Sequence, residues 1–169
     1  MKYVTTMPSP VGTLSIVADD DALVAIRWET ESGDRTVDDI AECDPTAHPV
    51  LAAAVEQLTE YFAGTRTEFD LPLSADGTAF QRQAWDELGR IPFGETITYG
   101  EQAIRLGDRN KMRAVGAANG KNPIPIVVPC HRVVGADGKL TGFAGGIENK
   151  AWLLDHEFRI RAGGTGQVP

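Results

Sequence analysis

The sequence predicts an α+β protein, a small antiparallel sheet followed by a series of helices, and three observations predict it. Strand-like runs with partial period-two alternation open the chain. Helical apolar spacing and capping signals dominate the remainder. Two short helices flank a glycine-containing break in the second half, the outline of a helix-turn-helix. At 169 residues the chain is long enough to bury a substantial core, in one domain or two small ones.

The first strand is KYVTTM. After the turn residues Pro8, Pro10 and Gly12 comes TLSIVA, and after Asp19-Asp20-Asp21 comes ALVAIRWE. The segment from Thr30 to Pro49 is acidic and poor in apolar residues, which predicts a loop. From Val50 to Phe62, Val50, Leu51, Ala54, Val55, Leu58 and Phe62 recur at helical spacing, with Gly64 as a stop. The run LPLSADGT marks a boundary, which predicts domains at 1–77 and 78–169.

Thr78 caps a helix that carries Phe80, Ala84, Trp85 and Leu88 and ends near Gly89 and the Ile91-Pro92-Phe93-Gly94 turn. A second helix is expected from Tyr99 to Leu106, a break at Gly107 and Asp108, and a third helix from Arg109 to Asn119 that ends at Gly120. On the third, Met112 and Val115 can face the core, while Arg113, Ala117 and Lys121 share another face. A last helix is expected from Ile147 to Phe158. The tail from Gly163 to Pro169 is expected to be disordered.

Charge divides the chain as well. Met1 to Thr78 carries a net of −11 and the remainder a net of +3, within a total of −8. In the stretch from Arg105 to Arg132 six basic residues face only Asp108. Such a stretch suits a surface that meets phosphates, or an ordinary solvated helix face. The third helix offers Ala114, Ala117 and Ala118 with Gly116 and Gly120 and a single Arg113. That set fits shallow contact with a narrow groove, or close packing of helices inside the protein. No apolar run is long enough to cross a bilayer and no leader-like segment opens the chain, so the cytoplasm, with Cys43 and Cys130 as thiols, is the expected location.

The chemistry concentrates in IPIVVPCHRVVG, from Ile124 to Gly135. A nucleophilic cysteine reacts as its thiolate and needs a positive or hydrogen-bonding neighbourhood, which His131 and Arg132 can supply. In an extended strand His131 reaches the sulfur only through a turn or a bridging water. The imidazole then needs an orienting carboxylate, and the Asp155-His156-Glu157 stretch offers candidates. Equally, a lone cysteine in an apolar run can be a buried small hydrophobe.

Together, FQRQAW, PFGETITYGEQA, RAVGAANGKNPIPIVVPCHRVVG, TGFAGG and LLDHE resemble the O6-alkylguanine-DNA alkyltransferases, with SPVGTL a weaker match near the start. The resemblance implies a ribonuclease-H-like N-terminal domain. It also implies a winged-helix-like C-terminal domain whose helix-turn-helix enters the minor groove of double-stranded DNA and turns the damaged guanine out of the duplex. Arg113 would fill the gap in the stack, and Tyr99 would help rotate the backbone and donate a proton toward guanine O6. Gly100, Ala114, Ala117 and Lys121 would lie against DNA.

Cys130 would accept the alkyl group by SN2 displacement, with His131, oriented by Glu157, taking the thiol proton through a water. Asn122 would hold the turn between recognition helix and active-site strand. Val133, Phe143 and Ala144 would line the guanine pocket. Phe143 and Ala144 stand where some members carry tyrosine and serine. The thioether is inert, so each molecule acts once. No cofactor is expected, and no metal, because Cys43 and His48 are too few for a closed zinc site. A monomer without membrane contact is expected. A lesion sensor or helix-turn-helix regulator with a structural Cys130, and a thiol hydrolase with turnover, remain the competing readings.

Overall fold

The computed structural model describes residues 1–28 and 40–163. The first half of the expected acidic loop, residues 30–39, and the tail beyond Gly163 lie outside the described residues. Strands β1 (Lys2–Met7), β2 (Leu14–Ala18) and β3 (Leu23–Trp28) form an antiparallel meander. Leu14, Ile16, Ala18, Leu23 and Ile26 are buried, so one face of this sheet must be covered. Helix α1 (Pro49–Ala63) covers it with Leu51, Ala54, Leu58, Tyr61 and Phe62. His48 caps that helix by accepting from the Leu51 amide, Pro49 suits its first turn, and Gly64 ends it.

In the described part of the expected loop the chain is more ordered than its composition suggests. β4 (Ile40–Glu42) adds a parallel strand to β1, giving the order β3-β2-β1-β4. A 3-10 turn over Pro45–Ala47 follows, capped by Asp44. Three residues ending in an acid carry almost no strand signal of their own, and the open edge of β1 supplies the pairing.

The boundary stretch is pinned to β3. The Leu23 amide donates to the Pro72 carbonyl at 2.8 Å, and the Ser74 amide to the Leu23 carbonyl at 2.9 Å. Farther along the same strand the Ile26 amide donates to the Pro123 carbonyl at 2.9 Å. A core cluster therefore spans both halves, with Ile124, Ile126 and Leu153 buried among residues of β1–β3 and α1, and a second cluster of Trp85, Leu88, Ile91, Ile97 and Val133 lies within the second half.

In the second half, α2 (Ala79–Leu88) opens with a reciprocal cap. Thr78 Oγ1 accepts from the Gln81 amide at 3.1 Å, and Gln81 Oε1 from the Thr78 amide at 2.9 Å. Helices α3 (Tyr99–Arg105) and α4 (Met112–Gly120) form the helix-turn-helix. Gly107, at φ +99°, makes the reversal after α3, and a 3-10 turn over Arg109–Lys111 leads into α4, three residues later than expected.

A buried amide pair locks the two helices together: Gln102 Nε2 donates to Asn119 Oδ1 at 3.0 Å, and Asn119 Nδ2 to Gln102 Oε1 at 2.8 Å. Trp85 Nε1 of α2 donates to the Ala118 carbonyl at 2.8 Å. Val115, Ala118 and Asn119 thus form the packed face of α4. Ala118 is inside, not on the outward face, and Met112, expected inward, overhangs the start of α4 near Gly100 and is 41% exposed. Parallel pairing of β5 (Ile97–Thr98) with β6 (Val133–Val134), followed by α5 (Ile147–Arg161), completes the architecture.

Candidate active site

Pro123, Pro125 and Pro129 prevent α4 from continuing, and Asn122 organises the loop they create. Its Oδ1 accepts from the Ile124 amide at 3.0 Å and its Nδ2 donates to the Val128 carbonyl at 2.8 Å. Within this loop Ile126 is fully buried at φ +74°, a left-handed conformation that a β-branched residue adopts only when its surroundings enforce it. The loop delivers Cys130 into a 3-10 turn, Cys130–Arg132, and not into an extended strand.

That turn divides three consecutive side chains among three environments. Cys130 faces a cleft beside the Asn122 amide, with Lys150 as the nearby cation. Part of the cysteine opens on the cleft, but the sulfur is densely packed, and burial pushes its thiol up despite the Asn122 hydrogen bond and the Lys150 charge. His131 is fully buried, and its Nε2 lies 2.6 Å from Glu157 Oε2. Arg132 turns away from the sulfur that it was expected to activate. Its Nε and Nη2 donate to Glu157 at 2.8 and 3.2 Å, its Nη1 donates to the Ile91 carbonyl at 2.6 Å, and it lies over the Phe93 ring.

Glu157 is the hub. Besides these bonds its Oε2 accepts from the Tyr61 hydroxyl at 2.6 Å and its Oε1 from the Gly94 amide at 3.2 Å. Burial by itself would raise the carboxyl, but the hydrogen bond from His131 and the charge and hydrogen bonds of Arg132 outweigh it and hold Glu157 far below the usual carboxylate range. An ionised carboxylate only accepts, so the proton between it and His131 sits on Nε2, and Nδ1 keeps the lone pair. Burial also holds His131 below its ordinary value. Among the described residues Nδ1 is the one buried side-chain nitrogen or oxygen with no protein partner. The neighbours of Glu157 have other work: Asp155 pairs with Arg159 on the surface, and His156 stacks on Trp152 and bonds the Tyr61 carbonyl.

The cleft over Cys130 is narrow and partly open, with about 320 Å³ of empty space when its solvent-filled mouth is included. Tyr99, Asn122, Pro125, Cys130, Phe143 and Ala144 line it, together with Asn119, Gly120 and Gly142. Val133 does not; it is fully buried, and its carbonyl accepts from Lys150 Nζ at 2.7 Å. The β5–β6 pairing sets Tyr99, at the start of α3, close to the Cys130 turn. Thr141 Oγ1 donates to the Tyr99 hydroxyl at 2.9 Å, which leaves the phenolic proton free to be given elsewhere. Phe143 is held edge-on against Trp28, with ring centroids 5.4 Å apart.

Beside the cleft, Arg113, Ala114, Ala117, Gly120 and Lys121 are all exposed on α4 and the residue after it, while Gly100 is half-buried at the start of α3. Among the described residues Arg113 and Lys121 enter no ion pair, and no three His, Cys, Asp or Glu side chains converge as a metal site. No helix among them is long and apolar enough to cross a membrane.

Tyr61, Gly94 and Lys150 were not anticipated as parts of the site. Lys150 has a signal in hindsight. It falls on the stripe Lys150, Leu153, Glu157 of α5, where a solvated helix face would place apolar residues inward.

Two family models cover most of the chain. Residues 2–75 match the 6-O-methylguanine DNA methyltransferase ribonuclease-like domain, and residues 79–159 match the DNA binding domain of the same family. A methylated-DNA–protein-cysteine methyltransferase from Mycolicibacterium paratuberculosis is 48% identical over 154 residues, 91% of each chain. A constitutive methylated-DNA–protein-cysteine methyltransferase from Bacillus subtilis is 43% identical over 158 residues, 93% of this chain and 96% of its own. The crystal structure of Mycobacterium tuberculosis OGT in complex with DNA superposes with a TM-score of 0.85 at 42% identity, covering 94% of each chain. With both halves matched and identity this high over nearly its whole length, the chain belongs to the 6-O-methylguanine DNA methyltransferase family.

Proposed function

We propose that this protein repairs O6-alkylguanine in DNA by moving the alkyl group irreversibly onto Cys130. The observation that carries this reading is a cleft-facing thiol followed, in the same turn, by a buried His131 whose Nδ1 has no protein partner among the described residues. Burial keeps Cys130 a thiol at rest, so a base is required at the moment of reaction. His131 Nδ1 takes the thiol proton through a water, and Glu157 stabilises the resulting imidazolium. Sγ forms a bond to the alkyl carbon while the O6–carbon bond breaks, its electron pair leaving with guanine. Tyr99 donates a proton to the departing base. Asn122 fixes the loop and bonds the sulfur.

On the DNA side, the small outward residues Ala114 and Ala117, with Gly100, allow the helix-turn-helix to approach the minor groove. Lys121 meets a phosphate, and Arg113 enters the stack where the guanine has been turned out. The flipped base lies in the cleft against Phe143 and Ala144, with the Val133 backbone behind the sulfur. We also propose a division into domains at 1–77 and 78–169, supported by the gap between the two family matches. A monomer in the cytoplasm fits a protein with two free thiols.

Intact-mass measurement after mixing with duplex DNA containing O6-methylguanine tests the reading. One methyl is expected per protein, and none on Cys130→Ala. Lesion binding without mass gain would support a sensor, and product formed in excess of protein would support a hydrolase; either sinks the proposal.

A further inference from the structure

Tyr61 belongs to the sheet-covering helix α1, 96 residues from Glu157, yet it is fully buried and its hydroxyl ends on the same Oε2 that holds His131. Both contacts are 2.6 Å long. A core position in α1 could be filled by phenylalanine, as the neighbouring Phe62 is. A buried hydroxyl is retained at such a position only with a partner, and here the partner is the carboxylate that governs the base.

Among the described residues, three segments besides α5 donate to Glu157. The Cys130–Arg132 turn presents His131 and Arg132, α1 presents Tyr61, and the segment after α2 presents the Gly94 amide. On α5 itself, His156 packs against the Tyr61 ring and Lys150 lies toward Cys130 and His131. Of these donors, only Tyr61 and Arg132 share Oε2 with His131.

We propose that Tyr61 is a positioning residue for alkyl transfer: by donating to Glu157 Oε2 it fixes that oxygen toward His131 and limits how strongly the carboxylate stabilises the imidazolium. Each hydrogen bond to a carboxylate disperses its charge and leaves less for the others. Burial and the adjacent Glu157 charge push the Tyr61 phenol well above its ordinary value, so it remains a donor wherever the protein is folded. Without the hydroxyl, Oε2 attracts a protonated His131 more strongly. The base then stays protonated to a higher pH.

The inference rests on the transfer reading above, and it is tested with free O6-benzylguanine, which removes DNA binding from the measurement. The rate of mass gain on Cys130 is followed against pH for wild type, Tyr61→Phe, and protein carrying 3-fluorotyrosine at position 61 only. The acid limb is expected to move up by about one pH unit in Tyr61→Phe, about tenfold in rate on that limb. It is expected to move down with fluorotyrosine, a stronger donor of nearly the same shape. The fluorinated protein keeps the test decisive should the phenylalanine variant not fold. Limbs that coincide with wild type, or a uniform loss of rate with an unmoved profile, overturn the inference and leave the transfer reading standing. Wild-type protein that gains no mass at any pH, either from the free base or from duplex DNA containing O6-methylguanine, overturns both.

Discussion

Replacing Glu157 by Gln tests the hub with nearly unchanged shape. Five hydrogen bonds from four residues converge on the carboxylate, all from donors. A glutamine amide has one oxygen, so its NH2 must face donors on one side. Toward Oε1 these are the Gly94 amide and Arg132 Nε, neither of which can become an acceptor. Toward Oε2 they are Tyr61, His131 and Arg132 Nη2, and the first two can rearrange. The amide therefore turns its NH2 toward His131, whose Nε2 must accept and whose proton must move to Nδ1.

Two consequences have magnitudes. The base is lost, and since a positioned base contributes about 10²–10⁴ in rate, alkyl transfer falls by at least about a hundredfold. Arg132, only 7% exposed, loses its counter-charge, and breaking such a buried pair costs about 3–5 kcal/mol. With a urea m-value of about 2 kcal/mol/M, that lowers the denaturation midpoint by about 2 M.

The pH dependence adds an independent check. Glu157 has a folded pKa held far below its unfolded value of about 4.3, so its contribution is complete above that pH and is lost as pH falls. The stability gap between wild type and Glu157→Gln is therefore expected to narrow by about 1.8 kcal/mol from pH 7 to pH 3, at about 1.36 kcal/mol per unit below 4.3. A gap under about 1 kcal/mol at pH 7, or one that is the same at both pH values, would refute the account of the hub.

Two further outcomes are expected of the site. Arg113→Ala is expected to slow repair in duplex DNA roughly tenfold or more, as base stacking is worth about 1–3 kcal/mol, while leaving reaction with free O6-benzylguanine unchanged; equal losses on both substrates would contradict its insertion in the stack. A Cβ at Gly145 would lie 2.6 Å from the Trp28 indole, so Gly145→Ala is expected to lower stability by about 1–3 kcal/mol and to disturb Phe143. Trp28→Leu should recover part of that loss in a double-mutant cycle, and strict additivity in thermal melts would count against a close contact between the two.

Most of the secondary structure was legible because it is declared locally: Thr78 with Gln81 announces α2, Gly64 ends α1, and Gly107 separates α3 from α4. β4 was not, since its pairing comes from β1 and its own residues carry no strand pattern. In the site, Cys130 and His131 could be read from one local motif, whereas Asn122, and Glu157 among the three candidates of its stretch, came only with the family resemblance. Arg132 was placed against the wrong partner because its orientation depends on a 3-10 turn that an apolar, extended-looking run conceals. Tyr61 was invisible for a different reason: it occupies an ordinary inward position of an amphipathic helix, and nothing in α1 tells where its hydroxyl ends.

The separations along the chain that meet at Glu157, 96 residues to Tyr61, 63 to Gly94, 26 to His131 and 25 to Arg132, also bear on folding. Contacts that close such long loops are entropically slow to form, and none of them can be made by one segment folding alone. A collapsed chain in which Glu157 has not yet reached His131 would hold a thiol with no oriented base. Reactivity is therefore a property of the finished native state, and the alkylation rate in rising denaturant should report the native population directly.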